Sequence, residues 1–241
     1  MSAWYARSAE ETARALKADP RRGLTEEEAA RRLNTYGPNA LTGQKKESLA
    51  MRLLGQLRDP MILVLLLAAG LSVLSSGGED WLDAAIILLI VAVNTVISIS
   101  QENSAERALE ALKKLSAPQA KVVREGRELL VEAEKLVPGD LIRLEAGDLI
   151  PADARILTAA ACRADESAMT GESVPAEKGA WGALPEDTSL GDRKNMLIGS
   201  TVLTAGRCEA LVTATGMDSE VGKVAGLLMD QDGGRPPCSA R

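Results

Sequence analysis

The 241-residue chain contains no histidine and no phenylalanine. Without an imidazole it can hold no Ser-His-Asp triad, no histidine general base and no His-containing zinc site. Aromatic residues make up 2% of the chain, which leaves almost nothing on which nucleic-acid bases could stack. The three cysteines, Cys162, Cys208 and Cys238, are odd in number, far apart in sequence and form no Cys-x-x-Cys. They point to free thiols in a reducing compartment and to no metal centre. Acidic residues outnumber basic ones by 34 to 28, for a net charge of −6, so no basic face is offered to nucleic acid. The mean hydropathy of −0.02 averages two very different kinds of segment.

The first kind is uncharged. Residues 60–78 and 84–101 contain no Asp, Glu, Lys or Arg, and each is close to the roughly 20 residues that cross a bilayer as helix. A core helix of a soluble protein normally keeps one polar face, and residues 61–69 have none. Cations flank the pair on the outside: Arg52 and Arg58 before it, Arg107, Lys113 and Lys114 after it. The short connection carries only Glu79 and Asp80 between Ser75 and the next helix. That asymmetry predicts a membrane hairpin with both termini cytoplasmic. Residues 1–10 have no apolar core and do not read as a signal peptide. Asp59 and Pro60 suit the start of the first span, and Leu49, Leu53, Leu54 and Leu57 predict a short interfacial helix ahead of it. From Trp81 to Leu115 there is neither Pro nor Gly. A helix of that length reaches about 50 Å, beyond a hydrocarbon core of about 30 Å. Its last third is amphipathic through Ala105, Ala108, Leu109 and Leu112, and Pro118 ends it. Asn94, inside the second run, suits either a bond to a neighbouring helix or the lining of an ion path.

The second kind of segment is soluble. Thr25 and Glu28 have capping-box spacing at the start of a helix through Ala29, Leu33 and Tyr36, with Gly37-Pro38 as its stop. After Pro118 the period becomes two. Strands are expected at 121–124, 128–131, 141–144, 194–203 and 208–214, with turns at 125–127, 137–140 and 147–148. A closing helix is expected at 218–229, capped by Asp218 or Ser219. The fold class is therefore α+β: a transmembrane helical hairpin, a β-rich barrel or jelly-roll domain and a small N-terminal helical segment.

One loop stands out: Asp165-Glu166-Ser167-Ala168-Met169-Thr170-Gly171-Glu172-Ser173-Val174-Pro175. By composition alone it reads as a solvated surface loop. Gly171 permits a tight projecting turn, and Glu172 beside it offers one carboxylate that can orient or deprotonate a water. No nucleophile, metal site or oxyanion hole accompanies it in this sequence.

Thr170-Gly171-Glu172-Ser173 with Asp165-Glu166-Ser167-Ala168 resembles the signature loop of the actuator domain of P-type ATPases. Pro138-Gly139-Asp140, Glu145-Ala146-Gly147-Asp148 and Ile150-Pro151-Ala152-Asp153 are similar to that domain's upstream pattern. Gly23-Leu24-Thr25, Arg32-Leu33, Tyr36-Gly37-Pro38-Asn39 and Leu41 resemble the N-terminal cation-ATPase segment. The resemblance covers about residues 4–229. It implies five regions: an N-terminal cation-ATPase segment (1–48), an interfacial helix and first span (49–78), a second span with a cytosolic extension (79–117), a distorted jelly-roll actuator domain (118–229) and an atypical tail (230–241).

The family transfers the γ-phosphoryl of ATP to an Asp and couples the turnover of that phosphate to cation transport. The resemblance implies that Glu172 positions the attacking water, while Thr170, Gly171 and Ser173 shape the loop and contact the phosphorylation domain. Partners would be the lipid bilayer, the phosphorylation and nucleotide-binding domains and the transported cation. ATP and Mg2+ would belong to the whole pump, with no cofactor or metal site in this chain. No Asp here precedes a Lys, as the family's phosphorylated Asp does, and Gly222-Lys223 lacks the rest of a Walker loop. The chain is thus expected to be an N-terminal piece of a pump, without ATPase activity alone. The segment 108–126 is most like the calcium-pump subgroup, with a monovalent-cation or proton pump as alternative. A membrane-anchored binding module and a soluble structural β protein are the readings from other classes. The hairpin can be tested by labelling: thiols introduced at Glu79 and Gln44 are expected to react from opposite faces of the membrane, and reaction from one face contradicts it.

Overall fold

A computed structural model describes residues 3–41, 60–75, 81–115 and 118–232. The interfacial helix expected over 49–57, the Asp59 cap, the Glu79-Asp80 connection and residues 233–241 with Cys238 lie outside these. The described residues fall into two compact units: 3–41 with 118–232, and 60–75 with 81–115.

The first unit begins with a 3-10 turn at Trp4–Ala6 and two helices, α1 (Ala9–Ala15) and α2 (Glu26–Tyr36). The second unit holds α3 (Pro60–Ser75) and α4 (Trp81–Leu115). The first unit continues with strands β1 (Gln119–Arg124), β2 (Arg127–Glu132), β3 (Leu141–Glu145) and β4 (Asp153–Asp165). The short helix α5 (Ser167–Thr170), β5 (Ala176–Lys178), β6 (Met196–Leu197), β7 (Val202–Ala214) and α6 (Glu220–Asp232) follow.

In the second unit α3 and α4 lie against one another. The 16 residues of α3 make about 24 Å of helix. Within α4, Ala85–Ser104 is a 20-residue stretch of mean hydropathy 1.9, almost none of it buried. Among the described residues this is the one helix long and apolar enough to cross a membrane. Leu82, Ile86, Leu89, Val93 and Val96 are exposed along it, and so is Asn94. Thr95 turns its hydroxyl inward, donating to the Val91 carbonyl at 2.8 Å. A hydroxyl satisfied by its own helix removes a polar cost in an apolar environment.

In the first unit the seven strands form an antiparallel sheet in the order β2-β1-β3-β7-β4-β5, with β6 also on β4. The β1–β2 hairpin turns at Glu125-Gly126, both at positive φ, the backbone of a primed two-residue turn that matches strand twist. Arg127, expected in the turn, starts β2. The expected strand over 194–203 is divided into β6, a turn at 198–201 and the start of β7. The 13-residue β4 has no counterpart in the sequence reading. Its residues Ala159-Ala160-Ala161 have poor strand propensity, and pairing with β7 from Asp153↔Ala214 to Asp165↔Val202, with bulges, overrides it. The core between these elements comprises Val122, Leu136, Ile142, Ile150, Ile156, Leu197, Leu203 and Val212 among others, all fully buried.

The N-terminal segment shares a second core with the sheet: Ala13, Leu24 and Ala29 pack with Val137 and Leu211. Leu24 bridges Arg124 in parallel. Gly23 sits so close to the Val123 carbonyl that any β-carbon would collide with it. Thr25 caps α2 by accepting from the Glu28 amide at 3.2 Å. The Glu28 carboxylate does not complete a capping box; it pairs with Arg31 and, at 2.7 Å, Arg32. The reciprocal box belongs to α1, between Ser8 and Glu11. Asn39 of the Gly-Pro-Asn stop reaches furthest. Its Nδ2 donates to the Ala133 and Pro151 carbonyls, and its Oδ1 accepts from the Gly216 amide at 2.9 Å.

Three buried charges tie the sheet to its loops. Asp140, fully buried, accepts from Arg124 at 2.9 and 2.7 Å and from the Val137 amide at 3.0 Å, closing the 137–140 turn. Asp153 accepts from the Gly199 amide at 2.8 Å and the Glu220 amide at 2.7 Å, which fixes the 198–201 turn and the start of α6 together. Burial pushes its carboxyl above the ordinary range. The α6 cap itself is Ser219, whose Oγ accepts from the Gly222 amide at 3.0 Å. Arg155, fully buried, donates to the carbonyls of Arg7, Ile156, Asn195, Trp181 and Gly182. With no carboxylate partner among the described residues, burial lowers it to about 10.

Asp140→Ala leaves the Arg124 guanidinium buried without its partner. The expected cost is about 3–5 kcal/mol, read as a lower urea midpoint at unchanged slope; a loss below about 1 kcal/mol contradicts the role given to this pair.

Candidate functional site

The loop singled out by sequence lies between β4 and β5. Asp165 ends β4, and its Oδ1 accepts from the Ser167 amide at 3.0 Å. That bond turns the chain into α5, whose N-cap is Glu166. The amides of Met169 and Thr170 donate to the Glu166 carbonyl, each at 2.9 Å, and the Gly171 amide donates to the Ser167 carbonyl. Thr170 ends the helix half-buried, with its hydroxyl donating to the Glu166 carbonyl at 3.1 Å. Gly171 is the left-handed C-cap, at φ 77° and ψ 0°. A single αL glycine after a last helical residue is the usual way to stop a helix and redirect the chain. Here it aims residues 171–175 outward, and all five are exposed.

Thr170, Gly171, Glu172 and Ser173 are thus contiguous on one projecting turn. Thr170 is the anchored end. Its Oγ1 accepts from the Glu172 amide at 3.3 Å, and its methyl faces Gly191. Glu172 and Ser173 are exposed. Val174, 78% exposed, is a bare apolar residue beside them. A carboxylate on a turn fixed at its base and open at its tip can be offered to another surface without the rest of the domain moving.

Beneath the turn is a layer that the sequence reading did not mark. Glu166 and Lys178 are both buried, with Nζ 2.5 Å from Oε1. Burial pushes the Glu166 carboxyl up and the Lys178 ammonium down, and each partner offsets the other's shift only in part. Lys178 also donates to the Arg193 carbonyl at 3.3 Å. Opposite it in the β4–β5 ladder is Cys162, whose thiol lies near enough to that of Cys208 for each to bias the other's ionisation. The Cys208 thiol lowers Cys162, while Cys208 is pushed up by Cys162 and by burial. Both thiols are free and buried. Two cysteines far apart in sequence are therefore neighbours in space, because β4 and β7 pair. No sequence signal distinguishes Lys178 from a solvated lysine; Glu166 was legible only as part of the acidic loop. Among the described residues no cluster of three or more Cys, Asp or Glu is placed to hold a metal ion.

The comparisons with known proteins agree with this architecture. Residues 114–229 match the P-type ATPase actuator domain, and residues 4–72 match the N-terminus family of cation transporters and ATPases. The chain belongs to the P-type ATPases and carries these two regions of the family. It is 42% identical to calcium-transporting ATPase 1 of Bacillus cereus over 98% of this chain and 27% of that protein. It is 39% identical to a calcium-transporting ATPase of Listeria monocytogenes over 97% of this chain and 26% of that one. With the sodium/potassium exporting P-type ATPase 1 of Saccharomyces cerevisiae the identity is 36%, over 96% of this chain and 21% of the relative. The chain spans about a quarter of the length of these curated relatives.

Since no atom lies within 4 Å of where a β-carbon on Gly171 would sit, backbone strain alone sets the effect of substitution there. Gly171→Ala is expected to cost about 1–2 kcal/mol and Gly171→Asn less, because Asn tolerates the left-handed region. Chemical denaturation of the two variants checks the order; equal stability of Ala and Gly contradicts the αL assignment.

Proposed function

We propose that this chain is the actuator part of an ATP-driven cation pump, and that Glu172 positions the water that hydrolyses the pump's aspartyl phosphate. The observation that carries the reading is the exposed Glu172, one residue past the αL turn at Gly171, on a loop rooted in the sheet of an actuator domain. In this step the water oxygen forms a bond to phosphorus as the bond from phosphorus to the Asp oxygen breaks. The products are the free carboxylate and inorganic phosphate. Glu172 accepts a hydrogen bond from the water and takes up its developing proton. Such transfer depends on in-line positioning and charge placement more than on covalent help. Thr170, Gly171 and Ser173 hold the turn and meet the phosphorylation domain.

The pump's ATP, Mg2+, phosphorylated Asp and nucleotide-binding domain lie outside this sequence, so the chain alone is expected to hydrolyse no ATP. We further propose that α3 and α4 are the first two of several spans, with both flanks of the hairpin cytoplasmic and the hairpin carrying actuator movement into the bilayer. The apolar stretch Ala85–Ser104 and the cations at Arg52, Arg58, Lys113 and Lys114 support that reading. Calcium is the proposed cation, from the names of the Bacillus and Listeria relatives. The yeast sodium/potassium exporter keeps a monovalent cation as the alternative, and the ion that supports phosphoenzyme formation separates the two.

Glu172→Gln keeps shape and removes charge. In a full-length pump carrying this chain, phosphoenzyme is expected to form normally and to decay about 10²- to 10⁴-fold more slowly after a cold chase. Decay at the unmutated rate sinks the assignment and leaves a solvated acidic loop.

A further inference from the structure

The projecting turn is held by few contacts of its own. From 171 to 175 every residue is exposed, and the bond from the Glu172 amide to Thr170 Oγ1 joins the tip to the base. The base converges on one residue: the Glu166 carbonyl accepts from the Met169 amide, the Thr170 amide and the Thr170 hydroxyl. The Glu166 side chain in turn points inward to Lys178. The pair closes the loop at its root, since Glu166 follows β4 directly and Lys178 ends β5.

A fully buried ion pair gains little stability over an apolar pair of the same shape, because desolvation cancels most of the attraction. Stability alone is therefore a weak reason for this one. Neither carboxylate oxygen of Glu166 has a well-directed hydrogen-bond donor among the described residues, so the ammonium of Lys178 is what neutralises it. A contact of 2.5 Å between charges fixes a distance more sharply than apolar packing does. The Glu172 carboxylate is also near enough for its charge to push Glu166 up.

We propose that Glu166 and Lys178 are a positioning pair for the hydrolytic step: their contact at the root of the loop sets where the Thr170–Gly171 turn stands, and hence where Glu172 presents its carboxylate. Neither residue touches the phosphate or the water. The inference rests on the role proposed above for Glu172. Small displacements of a group that orients a nucleophile are expensive, on the order of 10²-fold in rate for a shift of about 1 Å.

The test compares Glu172→Gln, Glu166→Gln and the double variant Glu166→Gln/Lys178→Met in a full-length pump carrying this chain. The measurements are phosphoenzyme formation, its decay after a cold chase and thermal stability. The double variant removes both charges together, whereas Glu166→Gln is isosteric but leaves Lys178 buried without its partner, as Asp140→Ala does for Arg124. The double variant is expected to phosphorylate to the unmutated level, to melt within a few degrees of it and to decay on the order of 10²-fold more slowly; Glu166→Gln is expected to decay as slowly and to melt lower. Unmutated decay in both variants, with slow decay in Glu172→Gln, overturns the positioning role and leaves the Glu172 assignment standing. Loss of phosphorylation and stability together in both variants overturns it too, in favour of a purely structural pair. Unmutated decay in Glu172→Gln itself removes the premise and the inference with it.

Discussion

The antiparallel pairing of β4 with β7 is the constraint on which the rest of the first unit depends. Each strand is 13 residues long, and the elements that matter are hung along their length. At one end Asp153 gathers the 198–201 turn and the first amide of α6. Two residues on, Arg155 gathers four carbonyls from the N-terminal segment and the 181–195 region, and that of its neighbour Ile156. At the far end the strand runs out at Asp165, whose carboxylate starts the turn that carries Thr170 to Ser173. The ladder is interrupted by bulges between Ala160 and Ala164, which re-aim the strand shortly before the turn.

Polar groups rather than apolar area decide how the loops are placed. The apolar core packs the sheet, but apolar contact is non-directional. Asp153, Arg155 and Asn195 each satisfy two or more backbone groups in a fixed geometry, and Asp140 joins the Val137 amide to the Arg124 guanidinium. Asn195 donates to the Tyr5 and Gly182 carbonyls, so the 3-10 turn at Trp4–Ala6 and the loop at 181–186 are strapped to each other and to the sheet. Leaving one of these groups unpaired costs more than any single apolar contact gains. The same logic reaches the Thr170–Ser173 turn, where the Glu166–Lys178 contact lies under an otherwise sparsely bonded loop. The roles proposed for Glu172 and for this pair put the chemistry at the tip and the geometry at the root.

The N-terminal segment shows how local and long-range signals combine. Its helix starts and stops were readable because capping chemistry is local: Thr25 at one end of α2 and Gly37 at the other act where their sequence context predicts. Its docking was not readable. Asn39 bonds to Ala133, Pro151 and Gly216, and Gly23 is needed because a carbonyl from β1 occupies the space of a β-carbon. Nothing within the first 41 residues specifies those partners.

The sequence by itself determined what local pattern can encode. The uncharged runs, the period-two hairpin at 121–131, the turns at 137–140 and 147–148, and the grouping of Thr170, Glu172 and Ser173 around Gly171 are all contiguous signals. Tertiary structure alone decided the rest. The strand β4 forms despite its run of alanines because β7 offers thirteen residues to pair with, and its pairing brings Cys162 beside Cys208. Burial of Lys178 depends on β5 lying against β4, which no property of lysine announces. Thr170 became an anchor and Glu172 a free carboxylate only through the left-handed turn between them. Composition supplied the groups, and long-range pairing, which has no contiguous signature, set their distances.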